Sequence, residues 1–247
     1  MLSNAHCHPQ FLDQEVQHST LSSWRGYPVI ASSTHFGDVQ TLLQMGAQYP
    51  HILPTIGWHP WYIPQDLRAE EIDSTMVKFQ STLTQHDVPI GEVGLDWHPK
   101  WKATRKQQLA IFERFLHCAE GLNRPVVAHC VRAHHEILRL LKKYPSTKLY
   151  LHHYQGNAAL SAQYFRFNTY FGLPIMQWSN RTNEVILSMP QDRLLIETDS
   201  CVSSGVVSAQ IHNHNISEDL LRRCRSNLFH FIQGTSGDFS QQFDFCM

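Results

Sequence analysis

The sequence lacks the patterns that mark several large classes of protein. Its six cysteines form no CxxC pair, no apolar stretch is long enough to cross a bilayer, and no long basic run is present. The N-terminal residues carry neither the charged segment nor the apolar core of a secretory signal. We therefore expect a cytoplasmic protein with reduced thiols, no membrane association and no obligate protein partner.

The charge balance singles out no class of partner either. The 247 residues carry a net charge of −1 with neutral histidines, so no strong field would attract nucleic acid nonspecifically. This balance does not exclude a nucleic-acid substrate, because metal ions can hold phosphate without a basic surface. Histidine is the residue type in excess, with 17 histidines against 20 lysines and arginines.

Short apolar runs alternate with helix-like stretches along the chain. Runs that are almost continuously apolar are typical of strands buried on both faces of a parallel sheet. Eight such runs are predicted strands: Leu2–His8, Val29–Thr34, Ile52–His59, Pro89–Asp96, Pro125–Val131, Lys148–Tyr154, Asn168–Leu173 and Arg193–Ser200. Eight strand–helix units over residues 1–247 predict an α/β fold, a single-domain TIM-type (β/α)8 barrel.

The segments between these runs have amphipathic patterns typical of helices. The predicted helices are Val39–Tyr49, Ile72–His86, Gln107–Leu122, Ala133–Tyr144, Arg181–Met189 and Ser217–Ile232. The polar segment Ser203–Asn215 is predicted to be a loop, and residues 234–247 a poorly ordered tail. A doubly wound open sheet is the alternative fold, but no glycine-rich nucleotide loop follows the first strand.

Five of the predicted strands carry side chains that bind divalent metals. His6 and His8 are two residues apart at the end of the first strand, so they point to the same face. Glu92 lies in the apolar fourth run, where a buried carboxylate requires a cation, either a metal or a basic side chain. The set is completed near the ends of the fifth, sixth and eighth runs by His129, His152 and Asp199.

Active sites of barrel enzymes lie at the C-terminal ends of the strands, so we expect these six side chains to meet there. Imidazoles and carboxylates suit Zn, Mg or Mn, and six ligands suit two such ions sharing a carboxylate. Asp199 is predicted to accept a proton from the attacking water, with Glu197 and Asp96 as supporting residues. If His152 points into the barrel, His153 points toward the helices.

The chain resembles the TatD family of metal-dependent hydrolases from about Ser3 to Ser200. The resemblance is carried by six ordered motifs: Asn-Ala-His-Cys-His at 4–8, Ile-Gly-Trp-His-Pro at 56–60, Gly-Glu-Val-Gly-Leu-Asp at 91–96, Pro-Val-Val-Ala-His at 125–129, His-His-Tyr-Gln-Gly at 152–156 and Ile-Glu-Thr-Asp at 196–199. It implies a metal-dependent phosphodiesterase, typically a deoxyribonuclease or 3′–5′ exonuclease. The implied substrate is DNA, single-stranded or at 3′ ends.

The resemblance also implies a division of the ligands between two metal ions. One ion is implied at His6, His8 and Asp199, the other at His129 and His152, and Glu92 is the implied bridge. The two ions would activate a water molecule for attack on phosphorus.

Further positions matching the family concern the substrate. His59 matches a substrate-facing histidine, and Arg132 is predicted to hold phosphate beside Val131, where the family usually has arginine. Two other departures are Asn4 in place of an aspartate, and Ser200 to Val202, where the family usually has a proline.

Two rival functions stay open. An amidohydrolase-like enzyme would act on an amide, ester or lactone, and would usually carry a lysine where Glu92 stands. A degenerate barrel would use the site for binding alone.

Near the third and fourth strand ends, basic residues could hold phosphate or be solvated, and tryptophans could stack bases or pack as a lid: Lys100, Lys102 and Arg105, and Trp58, Trp61, Trp97 and Trp101.

Overall fold

Strands and helices alternate through residues 2–233, the part of the chain that the computed structural model describes. The strands are β1 Asn4–Cys7, β2 Val29–Ser32, β3 Ile52–Thr55, β4 Ile90–Asp96, β5 Val126–Val131, β6 Leu149–Leu151, β7 Thr169–Pro174 and β8 Leu194–Glu197. The helices are α1 Gln14–Ser23, α2 Phe36–Gln48, α3 Ala69–Gln85, α4 Arg105–Leu122, α5 His134–Lys143, α6 Ala158–Tyr164, α7 Asn180–Ser188, α8 Ser204–Asn213 and α9 Glu218–Ile232.

The predicted (β/α)8 barrel is confirmed, and each predicted strand is found in its place. The observed strands are mostly shorter than the apolar runs. Strand β6 ends at Leu151, and His153 beyond it has a left-handed backbone with φ 48°. Strand β8 ends at Glu197, and Asp199 beyond it has φ 61°. A left-handed residue cannot continue a strand, so these residues begin the loops at the mouth of the barrel.

The helix predictions are confirmed except in three places. Helices α1 and α6 were not predicted, and the predicted loop Ser203–Asn215 is wrong because Ser204–Asn213 form α8. The weakly amphipathic sequence hides this helix, which is held by tertiary contacts: Val207 is fully buried, and the Ser204 backbone N–H donates to the Ser23 hydroxyl at 2.9 Å. The predicted tail at 234–247 lies outside the described residues.

The barrel wall consists of two parallel ladders. Strands β1–β2–β3 form one sheet and β4–β5–β6–β7–β8 the other. Across one seam, the bridge between Cys7 and Asp199 links β1 to the end of β8, and across the other a single bridge links Ile56 to Ile90. The ligand-bearing ends of β1 and β8 therefore meet at a junction that has no continuous ladder.

Apolar and aromatic side chains fill the barrel beneath its mouth. Val127 and Tyr150 precede His129 and His152 by two residues, so they share the inward face of their strands. They belong to one buried cluster with Phe231 of α9, whose ring centre lies 5.7 Å from that of Tyr150. Because these side chains fill the interior of the barrel, its polar strand ends are accessible only from the mouth.

Gly94 brings β4 and β5 into unusually close contact. Its φ is +140°, and an added Cβ would collide with the carbonyl oxygen of His129 and lie 2.9 Å from the backbone nitrogen of that residue. Glycine is the residue that tolerates both this backbone and this approach. The missing side chain therefore lets β4 lie close against the backbone of the ligand-bearing residue His129.

We expect Gly94→Ala to lower the free energy of unfolding by about 1–3 kcal/mol, because the new methyl group needs a strained backbone and displaces β5. Gly121→Ala is the matched control. A Cβ at Gly121, in α4, would meet open space, so alanine should be neutral or slightly stabilising. Urea denaturation of both variants measures the difference, and equal stabilities would contradict the role assigned to Gly94.

Candidate active site

The structure brings the six predicted ligands together at the C-terminal end of the barrel. They are delivered by five strands or the residues directly after them: His6 and His8 from β1, Glu92 from β4, His129 from β5, His152 from β6 and Asp199 from β8. Five of them, all except the fully buried His6, line a cavity that opens at the mouth.

Glu92 lies at the centre of this cluster and is 1% exposed. Its Oε2 atom lies 3.3 Å from His6 Nε2 and 3.1 Å from His8 Nε2. Its Oε1 atom lies 2.8 Å from His152 Nε2 and 3.2 Å from His129 Nδ1. Each oxygen of one carboxylate thus faces its own pair among the four predicted ligand histidines.

Three overlapping groups of donor atoms have spacings that suit a metal ion. Within each group the donor atoms lie within 4.8 Å of one another, and the groups are His6, His8 and Asp199; His6, Glu92 and His152; and His59, Glu92 and His129. Both Glu92 oxygens and His6 Nε2 are buried without a hydrogen bond of acceptable geometry. Buried polar atoms that converge on one place without satisfying each other fit a cation.

Hydrogen bonds at the far side of the rings turn the free nitrogens toward this centre. His8 Nδ1 donates to the Ser32 carbonyl oxygen at 2.8 Å, and His6 Nδ1 lies 3.0 Å from the Ser32 hydroxyl. His129 Nε2 donates to Asp96 Oδ2 at 3.2 Å. The Ser32 carbonyl and the Asp96 carboxylate can only accept, so they fix the tautomers of His8 and His129 and leave the other ring nitrogen with its lone pair toward the site.

His59 has the opposite tautomer, although its Nε2 atom also lies 3.3 Å from Glu92 Oε1. Its Nδ1 atom accepts the backbone N–H of Trp61 at 3.1 Å. Burial lowers the pKa of His59 below its ordinary value, so the ring is neutral and its hydrogen sits on Nε2. His59 can therefore donate a hydrogen bond into the cavity but offers no lone pair there.

The charges of the site favour a cation. Burial raises the pKa of Glu92, but the imidazoles around the carboxylate outweigh it and hold that pKa well below the usual range. Burial also lowers the pKa of His6, but Glu92 and Asp199 overcome this and raise it to about 10. The ionised carboxylates thus attract a proton to an imidazole, and a divalent ion can take the place of that proton.

The strand alternation predicted that His153 points toward the helices, and this prediction is wrong. Its Nδ1 atom lies 3.6 Å from Asp199 Oδ2. The left-handed backbone at His153 ends the two-residue alternation and turns the side chain back to the mouth. A contact of this kind has no signal in the local sequence.

Glu197 supports this turn from below. Its carboxylate accepts a hydrogen bond from the Tyr150 hydroxyl and another from the His153 backbone N–H, the second at 2.5 Å. Gly172 leaves the space for it, since a Cβ there would lie 2.6 Å from Glu197 Oε2. The carboxylate is thereby occupied in holding the loop after β6, which agrees with the predicted supporting role.

Two cavities meet at the centre. Both are lined by His129, His152 and Asp199, and their volumes are about 430 and 450 Å³. The first, here called the aromatic lobe, is also lined by residues that the sequence analysis missed, among them Phe11, Leu12 and Tyr62. The second, here called the arginine lobe, is lined by Arg132, His153 and neighbours. His59 thus faces the first lobe and Arg132 the second.

A comparison with known families decides the relationship of this chain. The family described as TatD related DNase matches residues 4–204, from β1 to the start of α8. The chain belongs to this family. The resemblance carried by the motifs is confirmed, and so is the expectation of a metal-dependent hydrolase that acts on ester bonds.

Several curated proteins are similar to this TatD-family chain. Human "Deoxyribonuclease TATDN3" is 26% identical over 215 residues, which cover 81% of this chain and 77% of the human protein. The "Uncharacterized metal-dependent hydrolase YabD" of Bacillus subtilis is 31% identical over 165 residues, covering 64% of this chain and 62% of YabD. The "3′-5′ ssDNA/RNA exonuclease TatD" of Salmonella typhimurium is 28% identical over 178 residues, covering 70% and 66%.

Solved structures show the same fold. The TatD homologue YJJV of Escherichia coli superposes with a TM-score of 0.79 at 18% identity, covering 94% of this chain and 97% of YJJV. A TatD family hydrolase of Entamoeba histolytica has a TM-score of 0.73 at 17% identity, covering 95% and 98%. Between residues 2 and 233, no helix is long and apolar enough to cross a membrane.

The tautomers separate ligands from donors in a way that metal analysis can test. We expect His129→Gln to lower the number of bound divalent ions, because it removes a ring nitrogen facing Glu92. His59→Gln should leave that number unchanged, because an amide N–H can replace the donor. Plasma emission spectrometry after loading and gel filtration measures both. Equal metal loss in the two variants would contradict the tautomer assigned to His59.

Proposed function

We propose that this TatD-family protein is a two-metal phosphodiesterase that removes nucleotides from the 3′ ends of single-stranded DNA. The observation that carries the proposal is the Glu92 carboxylate, whose two oxygens each face a separate pair of ligand imidazoles, with the donor His59 also beside Oε1. Relatives named as a deoxyribonuclease and as a 3′-5′ ssDNA/RNA exonuclease support the choice of substrate.

In this proposal His6, His8 and Asp199 would hold one ion, His129 and His152 would hold the other, and Glu92 would contribute a carboxylate oxygen to each. The donor set of imidazoles and carboxylates suits Zn, Mn or Mg. Ions held here would lower the pKa of a water molecule and polarise a phosphoryl oxygen.

Asp199 would take the proton of the attacking water. Its side chain is 37% exposed, far more than the 1% of Glu92, so it reaches the cavity where a water and a substrate would meet. Burial raises the pKa of Asp199, but contacts with His153 and His6 outweigh it and leave the pKa below its ordinary value. The ionised carboxylate can orient the water, and His153 holds the carboxylate in place.

Two donors would hold the phosphate. His59 presents its Nε2–H beside Glu92, and Arg132 lies exposed at the rim of the arginine lobe with a left-handed backbone, φ 56°. A guanidinium matches two phosphate oxygens at once. The lobes on either side of the centre would then receive the two sides of the scissile bond.

The rival readings receive less support. Within residues 2–233, the ion-pair contacts of the Glu92 carboxylate are with imidazoles, which is the environment of a bridging carboxylate. The intact set of six ligands weighs against a degenerate barrel. A cytoplasmic location and independence of a protein partner stay predictions.

The activity can be tested on single-stranded DNA labelled at its 5′ end. Metal-loaded protein should produce a ladder that shortens from the 3′ end. Asp199→Asn should lower kcat by about 10²- to 10⁴-fold, because the proton acceptor is lost, and Glu92→Ala should abolish both metal binding and cleavage.

Amide and lactone panels run in parallel complete this test. Hydrolysis of a lactone or amide, with DNA untouched, would favour the amidohydrolase alternative. DNA cleavage that survives both substitutions would reveal a contaminating nuclease and end the proposal.

A further inference from the structure

The Trp61 indole is a large apolar surface that the fold leaves uncovered. It is 51% exposed, lines the aromatic lobe, and stands in a short 3₁₀ turn, Pro60–Tyr62, directly after the His59 position. Phe11 and Tyr62 line the same lobe and are 57% and 39% exposed. Exposed aromatic surface gathered at the entrance to a site indicates a ligand with a flat apolar face.

The indole is held rigidly. Its Nε1–H donates to Asp96 Oδ2 at 2.6 Å, and its ring stacks on that of Trp101, with ring centres 5.8 Å apart and planes inclined by 17°. The Lys100 ammonium lies 4.6 Å from the centre of the Trp101 ring. One face of Trp61 is therefore backed by a second indole, and ligand binding need not order the side chain.

The same hydrogen bond connects Trp61 to the metal-ligand cluster. Asp96 Oδ2 also accepts from His129 Nε2 at 3.2 Å. The centre of the Trp61 ring lies 5.8 Å from that of His129 and 5.1 Å from that of His59. A ring stacked on Trp61 and a phosphate at the centre would thus be neighbouring parts of one ligand.

Trp58 and Trp97, which the sequence analysis also named as candidates for base stacking, have less exposed rings than Trp61. Trp58 is 6% exposed and its Nε1–H donates to the Tyr62 carbonyl oxygen at 3.1 Å. Trp97 is partly buried and lies under the Arg105 guanidinium, 5.3 Å from its ring centre. Their faces are used within the protein, whereas Trp61 combines an exposed face with a fixed orientation.

We propose that Trp61, backed by Trp101, is the stacking platform for the nucleobase next to the scissile phosphate. The inference rests on the proposed function and specifies its substrate: a strand end whose base is unpaired. Every base has a π face, so stacking tolerates all sequences. A paired base is stacked on its neighbours within the duplex, so the platform selects single strands or frayed ends.

Binding of short oligonucleotides with phosphorothioate linkages that resist cleavage tests the platform apart from catalysis. Fluorescence anisotropy compares a 3′ end that carries bases with one in which the last two sugars lack them. We expect the abasic end to bind wild-type protein about 10- to 100-fold more weakly, the range for loss of one stacked base. Trp61→Leu should lose the same factor on the base-bearing end and little on the abasic end.

Trp61→Phe separates stacking from the hydrogen bond to Asp96. Leucine and phenylalanine both lack the indole N–H, so recovery of affinity in the phenylalanine variant reports the ring alone. Trp97→Leu is the matched control, and it should keep the wild-type ratio between the two ends.

The possible results distinguish a failure of the stacking platform from a failure of the proposed activity. Equal affinity of wild-type protein for base-bearing and abasic ends would overturn the platform, even if DNA is cleaved. A base-dependent affinity that Trp61→Leu leaves intact would also overturn it. Failure to cleave DNA while the base-dependent binding follows Trp61 would instead refute the proposed activity and keep the platform.

Discussion

The carboxylate of Glu92 is the constraint on which this site depends. An ionised group at 1% exposure carries a desolvation cost of several kcal/mol. Five imidazoles offset that cost, and they come from β1, from the turn after β3, and from β5 and β6. The charge in β4 is thereby compensated by imidazoles from four other segments of the barrel. The Ser32 carbonyl and the Asp96 carboxylate act further out, by setting which ring nitrogen faces inward.

Sequence reasoning reached the parts of the structure that depend on local periodicity. Apolar runs located the strands, and the two-residue repeat of a strand placed His6 and His8 on one face. It failed where tertiary contacts decide. Ser203–Asn215 forms a helix because of what it packs against, and His153 turns to the mouth because its backbone is left-handed. The tautomer of His59 depends on a main-chain N–H, which no side-chain pattern encodes.

Asn4 shows how a departure from the family pattern can serve the fold. Its amide nitrogen donates to the Thr198 hydroxyl at 2.8 Å, and its amide oxygen accepts the Thr198 backbone N–H at 3.1 Å. An ionised aspartate, the usual residue of the family at this position, could only accept. The amide therefore ties β1 to the end of β8 with two bonds of opposite sense. Asn4 lies two residues before His6, and Thr198 lies one residue before Asp199. The two hydrogen bonds therefore keep both ligands in register.

The seam between the two sheets has a consequence for the barrel as a whole. His6 and His8 come from the end of β1 in the three-stranded sheet, whereas Asp199 follows β8 of the five-stranded one, and these three side chains form one donor group. An ion bound by that group would hold the two sheets together at the seam where the hydrogen-bond ladder of the barrel is interrupted. By linkage, free metal would suppress every fluctuation that parts the sheets. The supply of metal in the surroundings would then govern how long the molecule persists as well as how fast it works.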